Sequence, residues 1–401
     1  MKLLRPLLVA LTLVTACRAD EPVLSASRIT EGIQSLEKRY FSPTLRIWLD
    51  RPGDDLRAHW ESRVNPPWWS AANAVEMLAD VMNETKSTTY DAMLLAMHEL
   101  HADSVKRWPL VAETLKQRNQ WKPEDEEKLK QRLAKGSHFT QFRNEYLDDS
   151  GWWGIAWLKM AQRTGDKRYL DTARAIHAHM AANWNPAAGG GVIWCTEPGK
   201  QKPNAITNNL FLILSSRLAK QTGEAAYGEW AGKTIAWLHD KKLFDGTGVV
   251  DAPGHRGDWW SYNQGTYLGG LIAYAELTNS AALRNEAATV AESILTKAGF
   301  VDANGVIIEK LGTSGWDGAL FKGILARYLR QTSDSLKLHH LHPETARKID
   351  SILQTTAKSI LNFAATKDGQ FLGDWNEKPK NQDKNFNTDL SALIALVAAL
   401  P

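Results

Sequence analysis

The sequence predicts an all-α fold, a toroid of six helix hairpins with its chemistry gathered at one mouth. Three observations carry this. Apolar helical stretches (GIAWLKMA, NNLFLILSSRLA, YLGGLIAYAEL and LFKGILARYL) recur along the chain, and each leads through a short polar turn into an amphipathic helix. The turn threonines Thr164, Thr222 and Thr278 stand 58 and 56 residues apart, and Thr332 follows 54 further on. Strand-like pieces such as GGGVIW (Gly189–Trp194) and GTGVVDAP (Gly246–Pro253) fall between hairpins, so they are expected as loops or short hairpins at the rim.

The elements follow in order. Residues 25–40 form an N-terminal helix that pairs with the last inner helix, about 386–400, and closes the ring. The first hairpin lies near 67–102, with Thr85 of NETKST as the first turn threonine, displaced by an insertion. That insertion, residues 103–140, carries KPEDEEKLKQR and reads as a solvated helical segment. Hairpins at 149–184, 204–240 and 261–297 come next, then 317–331 with 343–364. Thr or Asn followed by Gly or Ser and an acidic or small residue suits a helix C-cap followed by a new N-cap. The first helix of each pair is apolar most of the way round, which means burial on both sides. The second is amphipathic, as in Tyr169, Ala173, Ile176 and Met180. No linker and no second domain is visible, so residues 20–401 read as one catalytic domain.

Composition narrows the function. The chain has 401 residues, 43% hydrophobic and 23% charged, with a formal charge of +3. Lys2, Arg5 and Arg18 supply that excess, and no basic block speaks for nucleic acid. Residues 1–19 read as an export signal: a basic start, an apolar run from Leu7 to Ala16, then small residues. Cleavage after Ala19 would release a soluble protein; Val14-Thr15-Ala16-Cys17 equally fits a lipoprotein signal ending before a lipidated Cys17. The protein is therefore expected to be secreted, periplasmic or lipid-anchored at the envelope, and to act as a monomer. Cys195 is the only other cysteine. LSALIALVAALP at the C-terminus reads as a buried helix rather than an anchor.

Tryptophan is the compositional outlier at 17 residues, with pairs at Trp68-Trp69, Trp152-Trp153 and Trp259-Trp260. Four rim segments precede or open inner helices: YLDDSGWW (146–153), KPNAITNN (202–209), DWWSYNQGTY (258–267) and GTSGWDGALFKG (312–323). Together they hold carboxylates, amides, a tyrosine and indoles. Neutral sugars are bound by that mixture, because hydroxyls pair with Asp, Asn and Gln while the C–H face lies on an aromatic ring. Candidate contacts are Trp152, Trp153, Asn204, Asn208, Trp260, Tyr262, Asn263, Gln264, Asp317 and Lys322. Asp317 and Lys322 would also suit a structural ion pair.

The doublet Asp148-Asp149 admits two readings. One Asp caps the helix GWWGIAWLKMA, or the two form the carboxyl pair of a glycosidase, about 5–5.5 Å apart in retaining enzymes. A helix N-terminus favours one ionised carboxylate, and its charge raises the pKa of the other. Metal chemistry finds no support: His177 and His179 face different ways, His98 and His101 have no acidic neighbour at ligand spacing, and His339, His340 and His342 read as a solvated turn. No cofactor motif and no GxSxG elbow occurs.

These residues resemble glycoside hydrolase family 76, the α-1,6-mannanases. The resemblance rests on NEYLDDSGWWGIAWLKMAQRTGDKRYLDTA, KPNAITNNLFLILSSRLAKQTG, WWSYNQGTYLGGLIAYAEL and GWDGALFKGILARYL, with WWSAANAVEMLADV before them and GQFLGDWN and NTDLSALIAL after. It covers about residues 65–400. It implies an (α/α)6 barrel and endo-hydrolysis of α-1,6-linked mannan with retention of configuration. It implies Asp148 as nucleophile and Asp149 as acid/base, with Trp152 or Trp153, Tyr262, Asn263 and Gln264 around the sugar. The longer stretch 103–140 and the polar tail KPKNQDKNFNTD depart from the family pattern.

Two alternatives stand beside this reading. A mannan transglycosidase would pass the same intermediate to a sugar hydroxyl. A uronate-acting hydrolase or lyase would need a cationic cluster, and the rim offers only Lys202, Arg256 and Lys322.

Overall fold

Helices apolar on all sides can be satisfied only by neighbours on all sides, and six of them meet around one axis in the computed structural model. It describes residues 24–49, 52–53, 55–62, 67–101, 107–135, 141–257, 259–313 and 315–400. The expected export signal, Cys17 included, lies outside the described residues. The inner helices are α3 (Trp68–Thr85), α7 (Leu147–Thr164), α9 (Ala205–Thr222), α11 (Ser261–Thr278), α13 (Gly318–Leu338) and α15 (Phe386–Ala398). Each packs on the next, and α15 returns to α3. Outside them lie α4 (Asp91–His101), α8 (Lys167–Ala182), α10 (Ala225–Asp240), α12 (Ala281–Thr296), α14 (Pro343–Ser359) and, packed on α15, α1 (Ala26–Tyr40). This is the (α/α)6 barrel, closed by its two ends as the sequence implied.

The threonine repeat has a local cause. Thr164 and Thr222 donate their hydroxyls to the carbonyls of Met160 and Leu218. Gly165 and Gly223 then end the helices in the left-handed region at φ 72° and 73°. Asn279 does the same after Thr278, and Lys86 after Thr85. Thr332 breaks the pattern. It too donates to the carbonyl four residues back, at Tyr328, but α13 runs on to Leu338 instead of ending near 331. Ser333 follows Thr332 and stays helical, its hydroxyl donating to Asp350 Oδ1 of α14 at 2.7 Å.

Glycines set the closest inner contacts. A Cβ on Gly323 would lie 2.5 Å from the Ser391 carbonyl oxygen, and one on Gly265 would lie 2.9 Å from Leu325 Cα. These two positions let α13 approach α15 and α11 backbone to backbone. Trp153 and Trp157 are fully buried, and Trp157 stacks on Tyr169 with its centroid 5.2 Å away. Burying a large side chain of this kind is worth roughly 1.5–3 kcal/mol. His98 and His177 are core residues, bonded to Thr172 and Ser215, and burial pushes both imidazoles down to about 4.

Away from the inner N-termini, an ionic knot ties four inner helices across the axis. Glu76 of α3 pairs with Arg327 of α13 at 2.8 Å and with Lys159 of α7 at 3.0 Å, and Arg217 of α9 stands 3.8 Å away. Burial would raise the Glu76 pKa, but the three cations together hold it down at about 2.

The insertion differs from expectation. It forms α5 (Arg107–Gln117) and α6 (Asp125–Lys135), and it is not merely solvated. Val111 and Leu115 of α5 build a second small core with Leu45, Ile47, Leu56 and Trp60, from the hairpin β1 (Phe41–Ser42) and β2 (Ile47–Trp48) and from α2 (Leu56–Ser62). Asp125, fully buried, accepts from Trp60 Nε1 at 2.8 Å and from the Lys122 N–H at 2.9 Å, and pairs with Arg57. Charge in the sequence of α6 concealed this anchor. Among the described residues, no helix is long and apolar enough to cross a membrane.

Candidate active site

The N-termini of five inner helices and the loops before them enclose a cavity of about 810 Å³. Trp69 lines it from α3, Asp148, Asp149 and Trp152 from α7, Asn204 from the cap of α9, Tyr262 from α11, and Asp317 and Phe321 from α13. The loops add Tyr146, Trp194, Lys200, Lys202, Asp251 and Trp316.

The start of α7 is built around the doublet. Its N-cap is Tyr146, whose side chain makes no cap bond, so neither Asp is the capping residue. The segment 194–196 crosses just before it: Leu147 N–H donates to the Trp194 carbonyl at 2.8 Å, and Thr196 N–H to the Glu145 carbonyl at 2.9 Å. Each carboxylate has its own donors. Asp148 accepts from Trp194 Nε1 at 3.1 Å and from the Asp149 N–H at 3.0 Å. Asp149 accepts from Asn144 Nδ2 at 2.7 Å. The Asn144 amide is oriented in turn, because its Oδ1 accepts from the Tyr146 N–H at 3.1 Å.

Electrostatics separates the two carboxyls. Both keep some surface toward the cavity but are ringed by protein atoms, and this burial pushes both upward. The donors at Asp148 oppose that rise. Asp149 is raised further by the charge of Asp148, with only the Asn144 bond acting against it. Asp148 is thus the first to ionise and Asp149 the one that keeps a proton.

Facing the pair is an aromatic wall. Tyr262 stacks flat on Phe321, with centroids 4.0 Å apart and 8° between planes. Trp69 lies 6.0 Å from Phe321 and 6.2 Å from Trp152, and its Nε1 donates to Asp317 at 2.9 Å. Burial, then the charges of Asp251, Asp148 and Asp317, hold the Tyr262 hydroxyl protonated.

Several expected contacts stand elsewhere. Trp153 does not reach the cavity; it is core, packed on Trp68, Phe142 and Trp157. Asn208 clamps both main-chain groups of Val192, and Gln264 does the same to Val249. Both amides therefore hold rim loops against inner helices rather than line the cavity. Lys322 is buried, donates to the Gly373 carbonyl and lies 4.2 Å over Trp375, so it does not pair with Asp317. Burial lowers its pKa to about 7. Trp260 packs its edge on Phe321, outside the cavity wall. Asn263 is buried and donates to Asp251 Oδ1 at 2.8 Å, presenting that carboxylate to the cavity. Asp251 and Trp194 were not expected. Both lie in the strand-like rim pieces, where an Asp two residues before a Pro and a Trp three residues after a glycine run were the only signals.

A six-hairpin α-barrel with a paired-carboxylate, aromatic-walled cavity is the architecture of a carbohydrate-active enzyme. The chain belongs to glycosyl hydrolase family 76, whose model matches residues 51–400. It is 27% identical over 281 residues to a putative mannan endo-1,6-alpha-mannosidase of Schizosaccharomyces pombe, covering 63% of this chain and 62% of that protein. It is 27% identical over 242 residues to the mannan endo-1,6-alpha-mannosidase DCW1 of Saccharomyces cerevisiae, covering 54% and 52%. The matches thus span less than two thirds of these relatives' length. Among solved structures, the GH76A alpha-1,6-mannanase of Salegentibacter sp. HEL1_6 shares the fold at a TM-score of 0.71, with 20% identity over 93% of this chain and 98% of that one. An inactive variant of that enzyme, with two aspartates changed to asparagine, is solved in complex with alpha-1,6-mannotriose.

Proposed function

We propose that the protein is an endo-acting, retaining glycosidase that cleaves α-1,6-mannosidic links in mannan backbones. The observation that carries this reading is the adjacent pair Asp148 and Asp149, open to one cavity and differently solvated. The names of the relatives supply the linkage and the sugar.

The chemistry follows from the two protonation states. Asp148, ionised, attacks the anomeric carbon while the bond to O6 of the next mannose breaks. Asp149 gives its proton to that leaving oxygen. A mannosyl ester of Asp148 results. Asp149, now a carboxylate, takes a proton from water, and the water displaces Asp148 with net retention. Trp69, Trp152 and Tyr262 serve as the apolar floor for the sugar rings, with Asn204, Asp251 and Asp317 as hydroxyl partners. The reading includes export to the cell envelope. A uronate-acting alternative gains nothing from the wall, where Lys200 and Lys202 are the cations against four carboxylates.

Incubation with linear α-1,6-mannan tests the reading. Shorter α-1,6-oligosaccharides are expected, with the α-anomer formed first by NMR. Release of mannose alone, or of β-anomer first, would overturn the endo or the retaining assignment. Longer products with an added mannobiose acceptor would redirect it to transglycosylation.

A further inference from the structure

We propose that Trp194 is a positioning residue of the reaction, its indole N–H fixing the rotation of the Asp148 carboxylate. The inference rests on the reading of Asp148 as nucleophile. Trp194 is half-buried on the cavity wall and comes from outside α7, so its N–H holds Asp148 from a second element. Its Nε1 stands 3.1 Å from Asp148 Oδ2, while Oδ1 is occupied by the Asp149 N–H. The indole is itself fixed at both ends. Its main chain gives its carbonyl to Leu147 and its N–H to the Lys202 carbonyl at 2.9 Å. Its ring packs on Tyr146 with centroids 5.3 Å apart, and Lys200 Nζ holds the Tyr146 hydroxyl at 3.1 Å.

A buried carboxylate with one oxygen unheld would rotate about its last bond and lose its line to the anomeric carbon. A neutral N–H donor prevents this and stabilises the anion, yet it brings no proton that competes with Asp149. The charged and titratable groups facing Asp148 are Asp149 on its own helix, Asp251 and Tyr262 from the α11 side, Asp317 at the start of α13, and the rim Lys200 and Lys202. All of them remain in Trp194→Phe, so a change in that variant belongs to the lost N–H.

Two measurements test this. In Trp194→Phe, the acid limb of kcat/KM on α-1,6-mannan is expected to move up by about one pH unit. Its kcat is expected to fall roughly tenfold or more, with KM changed less than threefold, and Trp194→His, which keeps a ring N–H, to recover part of the loss. A loss confined to KM, or an unmoved acid limb, would overturn the proposal and leave Trp194 a sugar platform. The second measurement needs no turnover and no change at Trp194. The Trp194 indole proton resonance should titrate together with the Asp148 carboxyl carbon in wild type, and be flat in Asp148→Asn. A flat resonance in wild type overturns the proposal even if Trp194→Phe does not fold. Wild type that titrates in this way but leaves mannan intact counts against the mannanase reading, not against the bond between Trp194 and Asp148.

Discussion

The side-chain amide of Asn144 donates to Asp149 Oδ2 at 2.7 Å, from a position five residues earlier and outside the helix that carries the carboxylate. It opposes burial and the charge of Asp148, the two largest of the forces that raise Asp149. Removing it in Asn144→Ala should raise the Asp149 pKa further. In the proposed mechanism Asp149 is the acid of the first step, so the basic limb of the pH profile should shift upward, while kcat falls about tenfold because the acid is less well aimed. A pH–rate series from 4 to 10 checks both (about those limits suffice for the two limbs). A basic limb that stays in place would remove Asn144 from the account.

Asp148→Asn and Asp149→Asn should each lower turnover of α-1,6-mannan by about a hundredfold or more. They should also stabilise the fold. A carboxyl whose folded pKa is raised penalises folding once the pH exceeds its unfolded value, and the penalty is fully present above the folded value. At pH 7 the amides escape it, so melting should rise by roughly 1–3 °C. Calorimetry of both variants at about pH 3 and about pH 7, below and above the unfolded carboxylate range, gives the sign; equal gains at both would contradict it.

Trp152 and Trp153 are neighbours with different work. Trp153→Ala removes a fully buried ring and should cost about 3–5 kcal/mol in denaturant midpoint analysis. Trp69→Ala, at the cavity wall, should cost far less stability but raise KM for mannan several-fold, because it removes a ring face and the donor to Asp317. A large KM effect from Trp153 in a folded protein would contradict the packing described.

The ionic knot predicts acid sensitivity. Glu76 has its folded pKa held below the usual carboxylate range, at about 2, so its contribution is fully present above the unfolded value and is lost as pH falls through the folded one. Arg327→Met leaves Glu76 and Asp80 with fewer cations and should cost about 3–5 kcal/mol. It should also shift acid unfolding to higher pH. Circular dichroism during acid titration of the two proteins compares them directly.

The hairpin count and the inner and outer helices were legible from the 401 residues because they follow from local rules. Apolarity all round a helix demands burial, and Thr-Gly or Thr-Asn turns end helices by their own hydrogen bonds and dihedral freedom. The doublet was legible for the same reason: adjacent carboxyls at a helix start need no partner to be noticed. The same rules misled where the partner was distant. Thr332 looked like the other turn threonines, and the charged α6 concealed Asp125 beneath Arg57 and Trp60.

Tertiary structure alone decided which polar residues face the cavity. Asn208, Gln264 and Lys322 have the chemistry of sugar ligands but spend their hydrogen bonds on Val192, Val249 and Gly373. Asp251 and Trp194 are unremarkable in sequence and become site residues because two rim loops fold back onto α11 and α7. The helix hairpins and the adjacency of Asp148 and Asp149 are written in the order of the chain, since both arise from neighbours in it. The roles within the pair depend on burial and on donors brought by Asn144 and Trp194, and only the closed ring supplies those.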